Sequence, residues 1–364
     1  MIALLARAFD NLFGRGEAAV TVPPLDGALR PNRMLDACAN RVALPDVDCL
    51  AIHAGTLVAS AGDSVHAITA TGQWTPRKTY AAPVACIAPI GSDGLAVALA
   101  TGEILVEGGE WDGRGYTIDG VGCITAMTFA DGALYVANGS ATTAPGDWQR
   151  DLLERNASGS VWRIDLGDGG GRRMADGLAW PAGVAVDGAG VVVSEAWKHR
   201  LVRLEPEGGA PPRVLNADMP GYPGRLSACA DGWWLAVFAP RSQLIEFVLR
   251  EPDYRRRMVA EVPAPYWIAP RLRSGRSYYE PLQGGGVKHL GLLKPWAPTM
   301  SFGMCARLDG AFQPRSSLQS RADGSTHGVT SVIEHDGETI VGARGDGVVL
   351  RLSPEDAGYA GGEA

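Results

Sequence analysis

Short apolar runs, each closed by a Gly-containing turn and answered by a second apolar run, cover most of this chain and restart in register. Cys49-Leu-Ala-Ile, Cys86-Ile-Ala-Pro-Ile and Cys123-Ile-Thr-Ala-Met are evenly spaced (86 − 49 = 37 and 123 − 86 = 37). Self-similarity at such a period marks a repeat architecture. Later units follow the same grammar. Pro181-Ala-Gly-Val-Ala-Val-Asp-Gly-Ala-Gly-Val-Val-Val-Ser-Glu195 leads to Arg200-Leu-Val-Arg-Leu204. Gly224-Arg-Leu-Ser-Ala-Cys-Ala-Asp-Gly-Trp-Trp-Leu-Ala-Val237 leads to Gln243-Leu-Ile-Glu-Phe247, and Gly328 to Gly342 leads to Gly347-Val-Val-Leu-Arg-Leu352. Each unit reads as strand, turn, β-branched strand, loop, third strand. Asp-Gly between apolar runs signals a hairpin, because its second residue tolerates positive φ. The expected fold is all-β, a six-bladed β-propeller with inserted cap loops and a short N-terminal helix, since radial repetition leaves only short, protected sheet edges.

Two stretches break the period. Residues 139–158 include Trp148-Gln-Arg-Asp-Leu-Leu-Glu154, a candidate helical turn, and residues 251–324 are rich in Pro, Gly and aromatics. Loops this long in a compact domain are functional or disordered, and the aromatic content points to ordered caps over one propeller face. The expected organisation is an N-terminal amphipathic helix and arm over 1–27, one propeller over 28–356, and a disordered tail over 357–364. Arg7 and Asp10 interrupt the N-terminal apolar stretch too early for a signal-peptide core. Packing on the body is its expected role, with membrane contact as the alternative.

Composition narrows the function classes. The chain has 364 residues, 48 Gly, 24 Pro, 46% hydrophobic and 20% charged residues, and a net charge of −7. A nucleic-acid role would need a basic stripe; Arg255-Arg256-Arg257 is too short and reads as a solvated loop face, so no nucleic-acid partner is expected. Six cysteines without a CxxC pair suggest reduced, buried thiols and a cytoplasmic protein. Gln283-Gly-Gly-Gly-Val lacks the Lys-Ser/Thr of a phosphate loop and reads as a cap hinge. Nucleophile-elbow and His-Glu-x-x-His motifs are absent, and Ser194 reads as a packed hydroxyl.

Several segments resemble the strictosidine synthase-like family: Pro181-Ala-Gly-Val-Ala-Val, Val193-Ser-Glu-Ala-Trp-Lys-His-Arg-Leu-Val-Arg, Pro220-Gly-Tyr-Pro-Gly-Arg, Val332-Ile-Glu-His-Asp-Gly and Trp148-Gln-Arg-Asp-Leu-Leu-Glu. The resemblance spans roughly residues 28–353. It implies a six-bladed propeller related to calcium-dependent gluconolactonase (SMP-30) and paraoxonase types. In those relatives, oxygen ligands at the inner blade ends surround the metal, as a hard cation requires. Here Asp48 keeps one such position. The family's Pro-Asn-Gly is Pro181-Ala182-Gly183, and its Tyr-Pro-Asp-Asn is Tyr222-Pro223-Gly224-Arg225, which exchanges oxygen ligands for a cation that repels Ca²⁺. The condensing glutamate of the synthase corresponds to Thr330, which cannot serve as a base near neutral pH.

An axial pocket is the implied site. His327, beside the synthase's catalytic position, is a candidate proton-transfer group or a ligand of a loop carbonyl. Arg225 is a candidate for binding an oxyanion or for pairing internally with Asp48. Glu195 is either the partner of Arg200 or a general base. Thr330 completes the catalytic candidates; Asp48, Trp148, Tyr222, Tyr266, Trp267, Tyr279 and Trp296 are the substrate-binding candidates, with aromatic caps forming an apolar pocket. The leading expectation is a metal-independent ester or lactone hydrolase without a cofactor, acting on a small molecule. Alternatives are a lyase or a C–C/C–N condensation enzyme in the same pocket, a non-catalytic ligand- or protein-binding propeller, and a calcium-dependent lactonase.

Overall fold

The computed structural model describes residues 22–205, 210–276, 280 and 300–358, together with the backbone of a small ribbon at Lys288–His289 and Leu292–Leu293. Six four-stranded antiparallel sheets stand around an axis as propeller blades. Their innermost strands are Val47–His53, Val84–Ile90, Ile124–Ala130, Pro181–Asp187, Gly221–Cys229 and Val329–His335. We number the blades 1 to 6 in that order. The ring closes because Arg41–Ala43 adds the outermost strand to blade 6, pairing Arg41 with Leu350, so both ends of the propeller meet in one sheet. The pattern of the chain gave no separate signal for that strand, which is only three residues long.

Burial follows position in the blade. The second strand of blade 2, Gly94–Leu99, is buried throughout because neighbouring blades cover both its faces. The outermost strand of blade 1, Trp74–Thr79, is exposed along most of its length. Asp131-Gly132 and Asp336-Gly337 turn their hairpins with positive φ at both residues (49° and 72°, 51° and 78°), the geometry that matches strand twist.

Four expectations need correction. Gln243–Arg250 is a helix rather than the third strand of blade 5. Its apolar positions Ile245, Val248 and Leu249 recur at helical spacing and are buried, whereas the window Gln243–Phe247 read in isolation mimics a strand. The third and fourth strands of blade 5 are Gly303–Leu308 and Pro314–Ser320, so the second insertion ends well before residue 324. Arg255, Arg256 and Arg257 lie on helix Pro252–Glu261, not in a loop. There Arg256 pairs with Asp253 and Arg257 with Glu261. Ala357, placed in the tail by the sequence, is buried. The amphipathic segment at the N-terminus, Tyr279, Trp296 and the glycine run at 284–286 lie outside the described residues. No helix among the described residues is long and apolar enough to cross a membrane.

Candidate functional site

The site begins with an irregularity that all six blades share. Next to the axis, the register between first and second strand slips: between Val47 and Leu50, Val84 and Cys86, Ile124 and Ala126, Pro181 and Gly183, Pro223 and Leu226, and Val329 and Ser331. A bulge leaves a residue out of the ladder and re-aims it. Every slip sends at least one residue to one cavity of about 370 Å³ at the hub: Asp48, Ala85, Thr125, Ala182, Gly224 with Arg225, and Thr330. Alignment by bulge also corrects the third repeat. The inner strand of blade 3 starts 40 residues after that of blade 2 (124 − 84), so Cys123 precedes the strand. Ala126 takes the place that Cys86 holds in blade 2.

Four of the six bulges present small or hydroxyl-bearing side chains (Ala85, Thr125, Ala182 and Thr330), and the space they leave is filled by the guanidinium of a fifth, paired with the carboxylate of the sixth. Arg225 donates to both Asp48 carboxylate oxygens (Nη1 to Oδ1 3.0 Å, Nη2 to Oδ2 3.1 Å). It also donates to the backbone carbonyls of Asp48 (3.1 Å), Ala85 (2.9 Å) and Thr330 (3.3 Å). The Thr330 hydroxyl donates to the Asp48 carbonyl at 2.7 Å. Bidentate geometry suits Arg, and the carbonyl ring makes this a cation site that already holds its cation. Burial pushes the Asp48 carboxyl up, but Arg225 and Arg344 outweigh it and hold the group below the usual carboxylate range. For Arg225 burial acts downward, and Asp48 more than offsets it, so the guanidinium stays charged. Arg344, at the rim and half-exposed, lies 3.4 Å from Asp48 Oδ2.

Aromatic and apolar side chains wall the rest: Trp148 and Pro145 from the first insertion, Trp180, Phe238 and Ile124 from the blades, and Leu272 from the second insertion. Trp197 braces this wall from behind. It stacks on Trp180 (5.2 Å between ring centres) and on Trp148 (6.2 Å), while Phe238 meets Trp148 edge-on at 5.6 Å. Trp180 holds a left-handed backbone (φ 55°), rare for a bulky side chain, and Ala196 N–H anchors its carbonyl at 3.0 Å. Gly139 is required beneath it: a Cβ there would stand 3.2 Å from the indole. The first cap is tied down by Asp151, which accepts from Trp197 Nε1 at 2.7 Å and Asn156 at 2.8 Å.

Several predicted residues fall elsewhere. His327 is fully buried outside the cavity lining. Its Nδ1 meets the Ser301 hydroxyl at 2.8 Å, its Nε2 the Arg321 carbonyl at 2.7 Å, and its N–H donates to Asp346 at 2.8 Å. Burial and the nearby Arg273 lower its pKa to about 4. It is a structural histidine. Glu195, also fully buried, accepts from Ala179 N–H (2.9 Å), Lys198 (2.7 Å) and Arg200 (2.6 Å), clamping the start of the third strand of blade 4. Tyr222 is sealed under His199 and Phe238, Trp267 donates to the Val262 carbonyl in the cap, and Tyr266 is exposed. Arg344, Thr125, Trp180 and Phe238 escaped the sequence reading. Only the bulge register, invisible in one sequence, would have pointed to Thr125.

Among the described residues, the side chains at the hub do not match the oxygen set that a hard cation requires. Both Asp48 oxygens are taken by Arg225, Ala182 and Gly224 offer no side-chain oxygen, and the described residues contain no cluster of three metal-ligating side chains. Five cysteines are buried, and burial raises the thiols of Cys49, Cys86 and Cys305 and takes that of Cys123 up to about 12; all six are free.

No protein-family model matches the chain, and no curated protein matches it in sequence. By structure it is similar to a gluconolactonase from Xanthomonas campestris (TM-score 0.53, 13% identity, 92% of this chain and 95% of that one). It is similar as well to a luciferin-regenerating enzyme (0.52, 14%, 86% and 92%). A third neighbour is the calcium-binding protein regucalcin from Agrobacterium tumefaciens strain C58 (0.51, 12%, 86% and 93%). At these identities the likeness shows a shared propeller fold and nothing of shared chemistry.

Proposed function

We propose that this chain binds a small, largely apolar molecule at the hub and hydrolyses an ester or lactone bond there without a metal ion. The observation that carries the reading is the set Asp48, Arg225 and Arg344 converging on an aromatic cavity at the inner blade ends. Gluconolactonase activity in one structural neighbour lends the reaction class, and regucalcin's calcium marks the contrast, because here a side chain occupies the hub. The strictosidine synthase-like motifs favour the same scaffold, but Thr330 at the glutamate position speaks against amine condensation.

In this reading Arg225 is a positioning residue that keeps Asp48 ionised and oriented. Asp48 takes a proton from water as its oxygen adds to the substrate carbonyl carbon. The half-exposed Arg344 guanidinium stabilises the resulting oxyanion. The carbon–alkoxy bond then breaks, and the proton passes from Asp48 to the departing alkoxide, giving an alcohol and a carboxylic acid, which loses its own proton to solvent. A second reading, binding without turnover, is favoured by the full engagement of both Asp48 oxygens, which weakens that carboxylate as a base. An assay with phenyl acetate and dihydrocoumarin in excess EDTA separates the two. Hydrolysis that persists in EDTA and falls about a hundredfold in Asp48→Asn is expected. Absence of wild-type hydrolysis, or its loss in EDTA, removes the proposed enzyme.

A further inference from the structure

The charges on the cavity wall do not balance. Its charged lining residues are Asp48, Arg225 and Arg344, one carboxylate against two guanidiniums. Arg225 consumes Asp48 through both oxygens, leaving Arg344 with a single longer contact of 3.4 Å to an oxygen already shared. Among the described residues Asp48 is the only carboxylate in ion-pair range of Arg344. The nearest acidic neighbour in sequence, Asp346, is committed to Arg273 (3.1 Å), Arg276 (3.3 Å) and the His327 N–H. One positive charge therefore faces a space otherwise walled by Trp148, Trp180, Phe238, Ile124 and Leu272. A guanidinium fork beside low-dielectric aromatic walls selects a planar oxyanion carried on an apolar body.

We propose that the occupant of this cavity is a monocarboxylate with an aromatic or aliphatic body, held by Arg344 at its carboxylate and by the tryptophan wall at its body. The inference rests on the hub cavity being the ligand site, and it names the class: the acid half of the substrate, which the pocket retains after hydrolysis. A single uncompensated charge matches a monoanion, and the volume of about 370 Å³ suits one ring with a short side chain.

Tryptophan fluorescence reports binding directly, because Trp148 and Trp180 line the cavity. Phenylacetate, its neutral isostere phenylacetamide and the dianion phenyl phosphate are titrated into wild type, Arg344→Gln and Arg344→Lys. Melting temperatures confirm that the variants fold. In wild type, phenylacetate binds about tenfold tighter than the amide and also tighter than phenyl phosphate, the scale of one charge-assisted contact. Arg344→Gln brings acid and amide to near equality, and Arg344→Lys keeps part of the preference. Equal binding of acid and amide by wild type, a preference that survives Arg344→Gln, tighter binding of the phosphate, or no saturable signal would each overturn the assignment. Turnover is not read here, so failure of the hydrolase reading leaves this result standing, and the reverse also holds.

Discussion

The axis carries two cavities of nearly equal size, about 370 Å³ on the cap side and about 380 Å³ below, and they share Arg225 as a common wall. The lower one is lined by the continuing inner strands, including Leu50, Ile87, Met127, Phe129, Leu226 and Val332, with Glu334 as its acidic group. Glu334 is spent on Trp234 Nε1 at 2.8 Å and Ala230 N–H at 3.3 Å. The upper cavity has bulged residues, two guanidiniums, a braced aromatic wall and residues from both insertions. Size does not distinguish a site from a packing gap. What distinguishes it is that chain irregularities and unbalanced charge are concentrated in one half.

The partition between the halves depends on Arg225, so its loss is the largest effect expected. Arg225→Ala leaves the buried Asp48 carboxylate and three carbonyls facing one another, and urea unfolding should show a loss of about 3–5 kcal/mol. A change below about 1 kcal/mol would mean that the hub ion pair is solvated and separates nothing.

His327 tests the boundary differently, because it belongs to neither cavity. Its folded pKa, about 4, lies below the ordinary 6.5. The unfolded chain therefore binds more protons between those values, so stability present above pH 6.5 is lost as pH falls toward 4. The full effect is roughly 3 kcal/mol. His327→Gln should flatten that slope in denaturation series while leaving phenylacetate affinity unchanged at neutral pH; an affinity loss at constant stability would return His327 to the site.

The same contrast explains what one sequence discloses. Blade grammar was legible because alternating apolar runs and Asp131-Gly132 or Asp336-Gly337 turns are local signals. Asp48 and Arg225 were legible because both stand at metal positions of the resemblance, one keeping its oxygen ligand and the other exchanging it for a cation, and their pairing needed only that both face the axis. Arg344 was not, because it follows the inner hairpin of blade 6 in a loop with no pattern of its own. Thr125 was hidden by the three-residue slip that moves Cys123 off the repeat. His327 misled for the opposite reason: despite its nearness in sequence to Thr330 it lies before the strand Val329–His335 that reaches the hub, and its imidazole is used to join Ser301 to the Arg321 carbonyl.

The most direct test of the division fills each half separately. Ala182→Leu places extra volume in the upper cavity and Ala228→Leu in the lower, and phenylacetate affinity is measured by fluorescence in both. Loss of about tenfold or more in Ala182→Leu with a change under about twofold in Ala228→Leu is the predicted result, the scale of one overpacked side chain. Equal losses in the two variants, or a loss confined to Ala228→Leu, would contradict the assignment of function to the cap-side half of the hub.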